Sequence, residues 1–191
     1  FAQLLRERFA ADFQQAIREA QHQPMIVNDA TELAKVLSVC WLKPGEAEQL
    51  GKQPFPLSLP FSQTYPLCCM DIRSLVEQYY SFSQGMTQYH QEIDAILSQS
   101  LDDLLIQLIS VNIRDTVEQS NNLSQIAQII VNIEHFQLAC SELEKWLSES
   151  STPNPGSQLS LGAAEHLSTT KSIAQKRIDS AMFVKLDQFL D

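Results

Sequence analysis

Apolar residues recur at three- and four-residue intervals through most of this chain, and that spacing constrains the fold more than any other feature. Ile93, Ile96, Leu97, Leu101, Leu104, Leu105, Leu108 and Ile109 keep the rhythm for several turns. Near the start, Leu5, Phe9, Phe13 and Ile17 keep it four apart. Such spacing stacks side chains along one face of a helix, whereas a strand would need alternation. Glycine, which costs a helix interior about 1 kcal/mol relative to alanine, occurs only five times in 191 residues. The chain reads as all-α.

Punctuation between the periodic runs sets the element order. The first helix runs from Phe1 to about Ala20, and Pro24 ends it. Asn28-Asp29-Ala30-Thr31-Glu32 carries short oxygen-bearing side chains ahead of Leu33, Val36 and Leu37, the pattern of a helix start. From Lys43 to Ser62 the residues Pro44, Gly45, Gly51, Pro54, Pro56 and Pro60 break any regular helix. Phe55, Leu57, Leu59 and Phe61 alternate there, so the segment reads as extended and ordered, lying across helices. After Pro66, Ile72, Leu75, Val76, Tyr79 and Phe82 resume helical spacing, with Gly85 a point of weakness. Asn121-Asn122-Leu123-Ser124 marks another start. The stretch from Ser148 to Ser160, with Pro153, Pro155 and Gly156, lacks apolar surface and reads as a loop. A last helix runs from about Ala163 to the end, its stripe of Ile178, Met182, Leu186, Phe189 and Leu190 strongest in the second half. Residues 1–62 are expected to form N-terminal helices plus the proline-rich segment, and 63–191 a C-terminal bundle. The heptad phase drifts between segments, which favours antiparallel bundles over one long coiled coil. The chain opens without methionine inside a helical pattern, so it is expected to be a piece of a longer protein.

Composition narrows the function classes. Apolar residues make up 44% and charged residues 19%, enough to bury roughly 70% of the unfolded surface at this length. The formal net charge is −10, which repels phosphate backbones and makes nucleic acid an unfavourable partner. Lys171, Lys176 and Arg177, the densest basic stretch, read as a solvated helix face. Cys40, Cys68, Cys69 and Cys140 lack the spacing of a disulfide framework and read as buried thiols in a reducing compartment. No apolar run approaches the roughly 20 residues a bilayer requires.

The search for chemistry returns negatives. His22, His90, His135 and His166 have no His or Cys three or four residues away, so no metal or cofactor site is expected. Asp102 and Asp103 diverge by about 100° on a helix and cannot share a proton; they read as a polar face. No phosphate-binding glycine loop or nucleophile elbow occurs. The reading is a non-enzyme that presents helix surfaces.

One helix stands out. On a wheel, Ile129, Ile133, Phe136, Cys140 and Leu147 share a side. Val131 and Leu138 lie nearly opposite, and Asn132 sits at the flank. A helix apolar on two sides either lies between two core layers or shows its second stripe to a partner. Asn132 is then a satisfied flank amide or a contact residue.

The run Leu123-Ser124-Gln125-Ile126-Ala127-Gln128-Ile129-Ile130-Val131-Asn132-Ile133-Glu134-His135 resembles a helix in the C-terminal part of the Sec-fifteen subunit family of the exocyst, also called exocyst complex component six. Pro60-Phe61-Ser62 is similar to that family's Pro-Phe-Ser before a long helix. Phe9 with Phe13, Pro24-Met25 and the stretch to Val36 resemble the segment upstream, and Leu186-Asp187-Gln188-Phe189-Leu190 the closing helix. The resemblance implies rod-like helical bundles that help tether secretory vesicles to the plasma membrane in exocytosis. It implies a cytoplasmic protein, peripheral at vesicles and exocytic sites, with other exocyst subunits as partners and only indirect membrane association. It implies a GTP-loaded Rab-type small GTPase as a further partner, with Asn132 matching an asparagine on the helix concerned. Val131 and Leu138 join it as candidate partner-binding residues from the wheel. The alternative is a purely architectural segment that packs on sister subunits without a GTPase.

Overall fold

The computed structural model describes residues 2–18, 22–85, 90–150 and 160–190. Within them are α1 (Ala2–Arg18), α2 (Ala30–Val39), α3 (Glu46–Gly51), α4 (Thr64–Ser83), α5 (His90–Leu104), α6 (Val111–Gln119), α7 (Leu123–Ser150) and α8 (Ala163–Leu190). A π-helical segment, Leu105–Ser110, joins α5 to α6 without a break. Two short strands, β1 (Ile26–Val27) and β2 (Leu57–Ser58), pair antiparallel with Ile26 opposite Ser58 and Val27 opposite Leu57. The chain is an all-α bundle with a minimal ribbon.

Local chemistry explains the boundaries. Asp29 caps α2 by accepting the Glu32 amide at 2.8 Å, and the Glu32 carboxylate reaches back to the Asn28 amide at 2.8 Å, a reciprocal arrangement of the capping-box kind. Asn122 caps α7, its Oδ1 accepting the amides of Ser124 and Gln125 at 3.0 and 3.4 Å. Pro66 sits in the first turn of α4, where a backbone donor has no intrahelical acceptor anyway. Gly85, with φ of 94°, follows α4 in the left-handed conformation that closes many helices.

Two features depart from the expectations. Residues 46–51 are helical, inside the segment read as extended. Between Pro44 and Pro54 the chain is proline-free long enough for one turn, and Glu46 and Glu48 favour a helix start. The other departure is in α8. Its buried residues are Ala163, Leu167, Thr170 and Ala174, all in the first half. Met182, Leu186 and Phe189, read as the strongest part of the stripe, are exposed, and Ile178 is half-buried. Small residues let the first half of α8 approach its neighbours closely, while the bulkier second half extends past them. The side chains of Leu5, Phe13, Leu108, Ile109, His90 and Leu190, residue Tyr89 and most of the expected loop (151–159) lie outside the described residues.

A cluster of buried apolar residues runs from Phe9 in α1 through Leu33, Ile72, Leu101 and Ile133 to Ala174 in α8. The ribbon joins it through Val27 and Leu57, and beyond the ladder Met25 donates to the Phe61 carbonyl at 2.9 Å. Gln128 and Asn132 of α7 hold the end of the proline-rich segment at Pro60 and Ser62. Phe61, Tyr65, His135 and Phe136 form an aromatic cluster there, with ring centroids 5.1 to 5.3 Å apart.

Candidate partner-binding surface

The twenty-eight residues of α7 face two environments. Ile129, Ile133, Phe136, Cys140 and Leu147 are all buried, which is the side the wheel assigns to the core. Val131 and Leu138 are half-buried, on a stripe shared with exposed Ala127 and Lys145 and half-buried Glu134 and Glu142. That stripe is neither a second core layer nor fully solvated.

Asn132 is 2% exposed. Its Oδ1 accepts the Ser62 amide at 3.0 Å and its Nδ2 donates to Ser62 Oγ at 2.7 Å. Gln128, one turn earlier, donates from Nε2 to the Pro60 carbonyl at 2.9 Å and to Asn132 Oδ1 at 3.3 Å. The two amides hold the Pro60-Phe61-Ser62 backbone, a proline-containing stretch that cannot satisfy itself by a regular ladder. Of the two readings open for Asn132, the geometry is that of a satisfied buried amide. Gln128 and Ser62 escaped the sequence reading. The available signal was a pair of amide side chains four apart on a mostly apolar face, which marks a buried polar network.

His135 extends the same network. Its Nδ1 lies 2.9 Å from the Val131 carbonyl and its Nε2 3.0 Å from Glu46 Oε1. The Val131 carbonyl can only accept, so Nδ1 is the donor of that pair. Tyr65 Oη donates to the Trp41 carbonyl at 2.7 Å and lies 3.1 Å from that of His135. Burial pushes the Tyr65 phenol well above its ordinary value. His22 is buried in a left-handed conformation (φ 46°), its Nδ1 has no partner among the described residues, and burial lowers its pKa.

Charges fix the outer stripe to its neighbours. Glu134 accepts Lys171 of α8 at 2.8 Å and Lys43 at 3.3 Å. Lys171 foremost, then Lys43, holds its carboxyl below the usual range. Arg177 donates to the Ser120 carbonyl through Nε at 3.1 Å and Nη2 at 2.7 Å, closing the end of α6. Two of the three residues read as a solvated basic face therefore serve interhelical contacts, because their long stems reach across to α7 and α6. Asp102, read as part of a polar face, accepts the amides of Gly162 and Ala163 at 3.0 and 2.8 Å. It caps the start of α8 from a neighbouring helix.

Among the described residues, no group of three or more His, Cys, Asp or Glu side chains is placed to hold a metal ion. No helix among them is long and apolar enough to cross a membrane. All four cysteines are free and buried, and burial pushes the Cys140 thiol up to about 12. α7 thus carries Val131 and Leu138 half-buried on a mixed stripe with Glu134, Glu142 and Lys145.

Comparison with known proteins assigns the family. A family model described as the C-terminal region of exocyst complex subunit Sec15 matches residues 1–191. The chain belongs to this family. Among its relatives, exocyst complex component SEC15 of Saccharomyces cerevisiae is 27% identical over 96% of this chain, which is 21% of that protein. Exocyst complex component 6B of Homo sapiens is 24% identical over 100% of this chain and 23% of its own length. Exocyst complex component 6 of Rattus norvegicus is 26% identical over 78% of this chain and 18% of its own length. The chain thus spans about a fifth of the curated relatives it matches. No solved structure matches it.

Proposed function

We propose that this chain is a C-terminal helical module of an exocyst subunit and takes part in tethering secretory vesicles to the plasma membrane during exocytosis. The observation that carries this reading is the family match over the whole chain. In the same reading the protein works in the cytoplasm, peripheral to vesicles and exocytic sites, with other exocyst subunits as partners. The finer part concerns α7: Val131 and Leu138 contact a GTP-loaded Rab-type small GTPase. Their half-buried stripe, bordered by Glu134, supports it. Asn132 then acts as a positioning residue, anchoring Ser62 behind the stripe rather than touching the partner. A micromolar contact needs about −8 kcal/mol, within reach of a few apolar anchors and a polar rim. Nucleotide dependence comes from the switch segments of the GTPase, which order around the γ-phosphate.

Pull-down against a panel of GTP-locked and GDP-locked Rab proteins tests the contact. GTP-selective binding that weakens in a Val131→Ala, Leu138→Ala double variant with unchanged helical circular dichroism is the expected result. Equal, negligible binding across the panel overturns it.

A second reading, contact with sister subunits alone, is favoured by the outer half of α8. Met182 is 53%, Phe183 67% and Phe189 87% exposed, and bulky apolar side chains at that density suit a helix of another subunit. Co-purification with exocyst subunits that is lost in a Met182→Ser, Phe189→Ser variant, with no GTPase bound by the parent chain in either nucleotide state, is the result expected from this second reading; GTP-selective binding by the parent chain overturns it.

A further inference from the structure

A groove of about 430 Å³ opens between α4, the turn after α2 and the C-terminal end of α7. Trp41, Val76, Glu77, Leu143, Trp146 and Glu149 line it. Val76 and Leu143 are buried and make an apolar floor. Both tryptophans of the chain stand in its walls, and Trp146 is 39% exposed with Tyr80 packed edge-on at 5.2 Å. The groove has the size and mixed lining of a recognition site.

Its charges are unevenly matched. The Arg73 guanidinium stacks 4.1 Å from the Trp41 ring and donates through Nε to the Val39 carbonyl at 2.7 Å. Lys145 is bound to Glu142 at 2.6 Å. The two cations beside the groove thus already have partners within the chain. Glu77 and Glu149 are exposed, and no hydrogen bond or ion pair engages them among the described residues. What remains for a ligand is an apolar floor, indole walls and two unmatched carboxylates at the rim. Indole rings attract cations, more strongly where water is excluded. Carboxylates on a chain of net charge −10 repel anionic lipid and nucleic acid.

We propose that this groove docks a basic amphipathic segment of a partner protein. Its apolar side chains seat on Val76 and Leu143, and its lysine or arginine side chains meet Trp146, Glu77 and Glu149. Glu142 and Lys145 continue the α7 stripe beyond Leu138 into this groove, so the two sites adjoin, and the test of the groove involves no GTPase.

The groove holds every tryptophan, so intrinsic fluorescence of the 191-residue chain reads it without a label. The probe is a synthetic amphipathic helix with lysine and leucine at three- and four-residue spacing. Saturable change in emission, weakened by added salt and absent with the glutamate-for-lysine peptide, is expected. A Glu77→Gln, Glu149→Gln double variant should bind about tenfold more weakly, the size of two partly exposed charge pairs. A charge-matched control, Asp115→Asn with Asp179→Asn, should bind as the parent does. Trp146→Phe should keep most of the affinity that Trp146→Ala loses. Equal weakening in the control pair and the groove pair means general attraction to an acidic protein and overturns the proposal. So does unchanged emission, or binding untouched by any groove substitution.

Discussion

Asn132 and Val131 are neighbours in the chain, but about 100° of helix rotation separates them, and this gives them different roles. Removing the Asn132 side chain leaves the Ser62 amide and hydroxyl inside the protein without their partner. An unsatisfied buried group costs about 1–3 kcal/mol, and Asn132→Ala is expected to lower stability by that much. Val131→Ala and Leu138→Ala remove only half-buried surface and should cost about 1 kcal/mol or less. Urea unfolding, with an unchanged slope against denaturant, distinguishes the two cases. Asp71 on α4 is another residue whose surroundings set its behaviour. Burial first, and then the Asp12 carboxylate on α1, push its pKa up to about 6. The folded state therefore holds the Asp71 proton more tightly than the unfolded chain, whose aspartates titrate near 3.8. Ionised Asp71 opposes folding above pH 6, and the opposition fades as pH falls from 6 towards 3.8. Asp71→Asn is expected to raise the melting temperature at pH 7.5, with a gain that disappears near pH 4; melting curves across that range check it.

At the scale of elements, several helices are closed by residues outside themselves. α8 has no side-chain cap from its own start; Asp102 in α5 supplies it through the amides of Gly162 and Ala163. A Cβ on Gly162 would come within 3.1 Å of the Asp102 carboxylate, so the glycine makes room for the cap. Asp102→Ala is expected to cost about 1 kcal/mol, as lost helix caps do. Amide hydrogen exchange at residues 162–166 should quicken while the α7 core stays protected, and exchange followed by mass spectrometry reads both. Adjacent Asp103 gives a reference substitution away from those amides. α6 is closed in the same borrowed way by Arg177.

For the whole molecule the question is how the first 62 residues relate to the rest. Pro60 and Ser62, just after β2, are tied to α7 by Gln128 and Asn132, Glu46 is tied to His135, and Trp41 is tied to Tyr65 of α4. α1 packs on α4 and α5, and Phe9 and Ile17 enter the shared cluster. We expect a single cooperative transition. Far-ultraviolet circular dichroism reports all helices, while fluorescence reports Trp41 and Trp146; the two should superimpose in urea. An early dichroism phase without a fluorescence change would instead mark the N-terminal helix as a separate unit.

Periodicity, capping residues and proline placement are local, and for that reason the sequence alone determines the helical class, the starts of α2, α7 and α8, and the core face of α7. Asp29, Asn122 and the Ile129–Phe136 pattern act within a few residues of themselves. The resemblance to the exocyst family was legible for the same reason, because it rests on ordered helix signatures. Contacts between distant parts of the chain were not legible. Nothing near Asp102 signals that it caps a helix sixty residues away, and nothing near Trp41 signals Trp146. Nor could the apolar stripe at the end of α8 reveal its exposure, since periodicity gives a face without saying what covers it. Tertiary structure decided that Asn132 turns inward to Ser62, while Val131 and Leu138 are only half-buried. The physical reason is that the buried end of the proline-rich segment needs hydrogen-bond partners for its backbone, and α7 supplies them through Gln128 and Asn132.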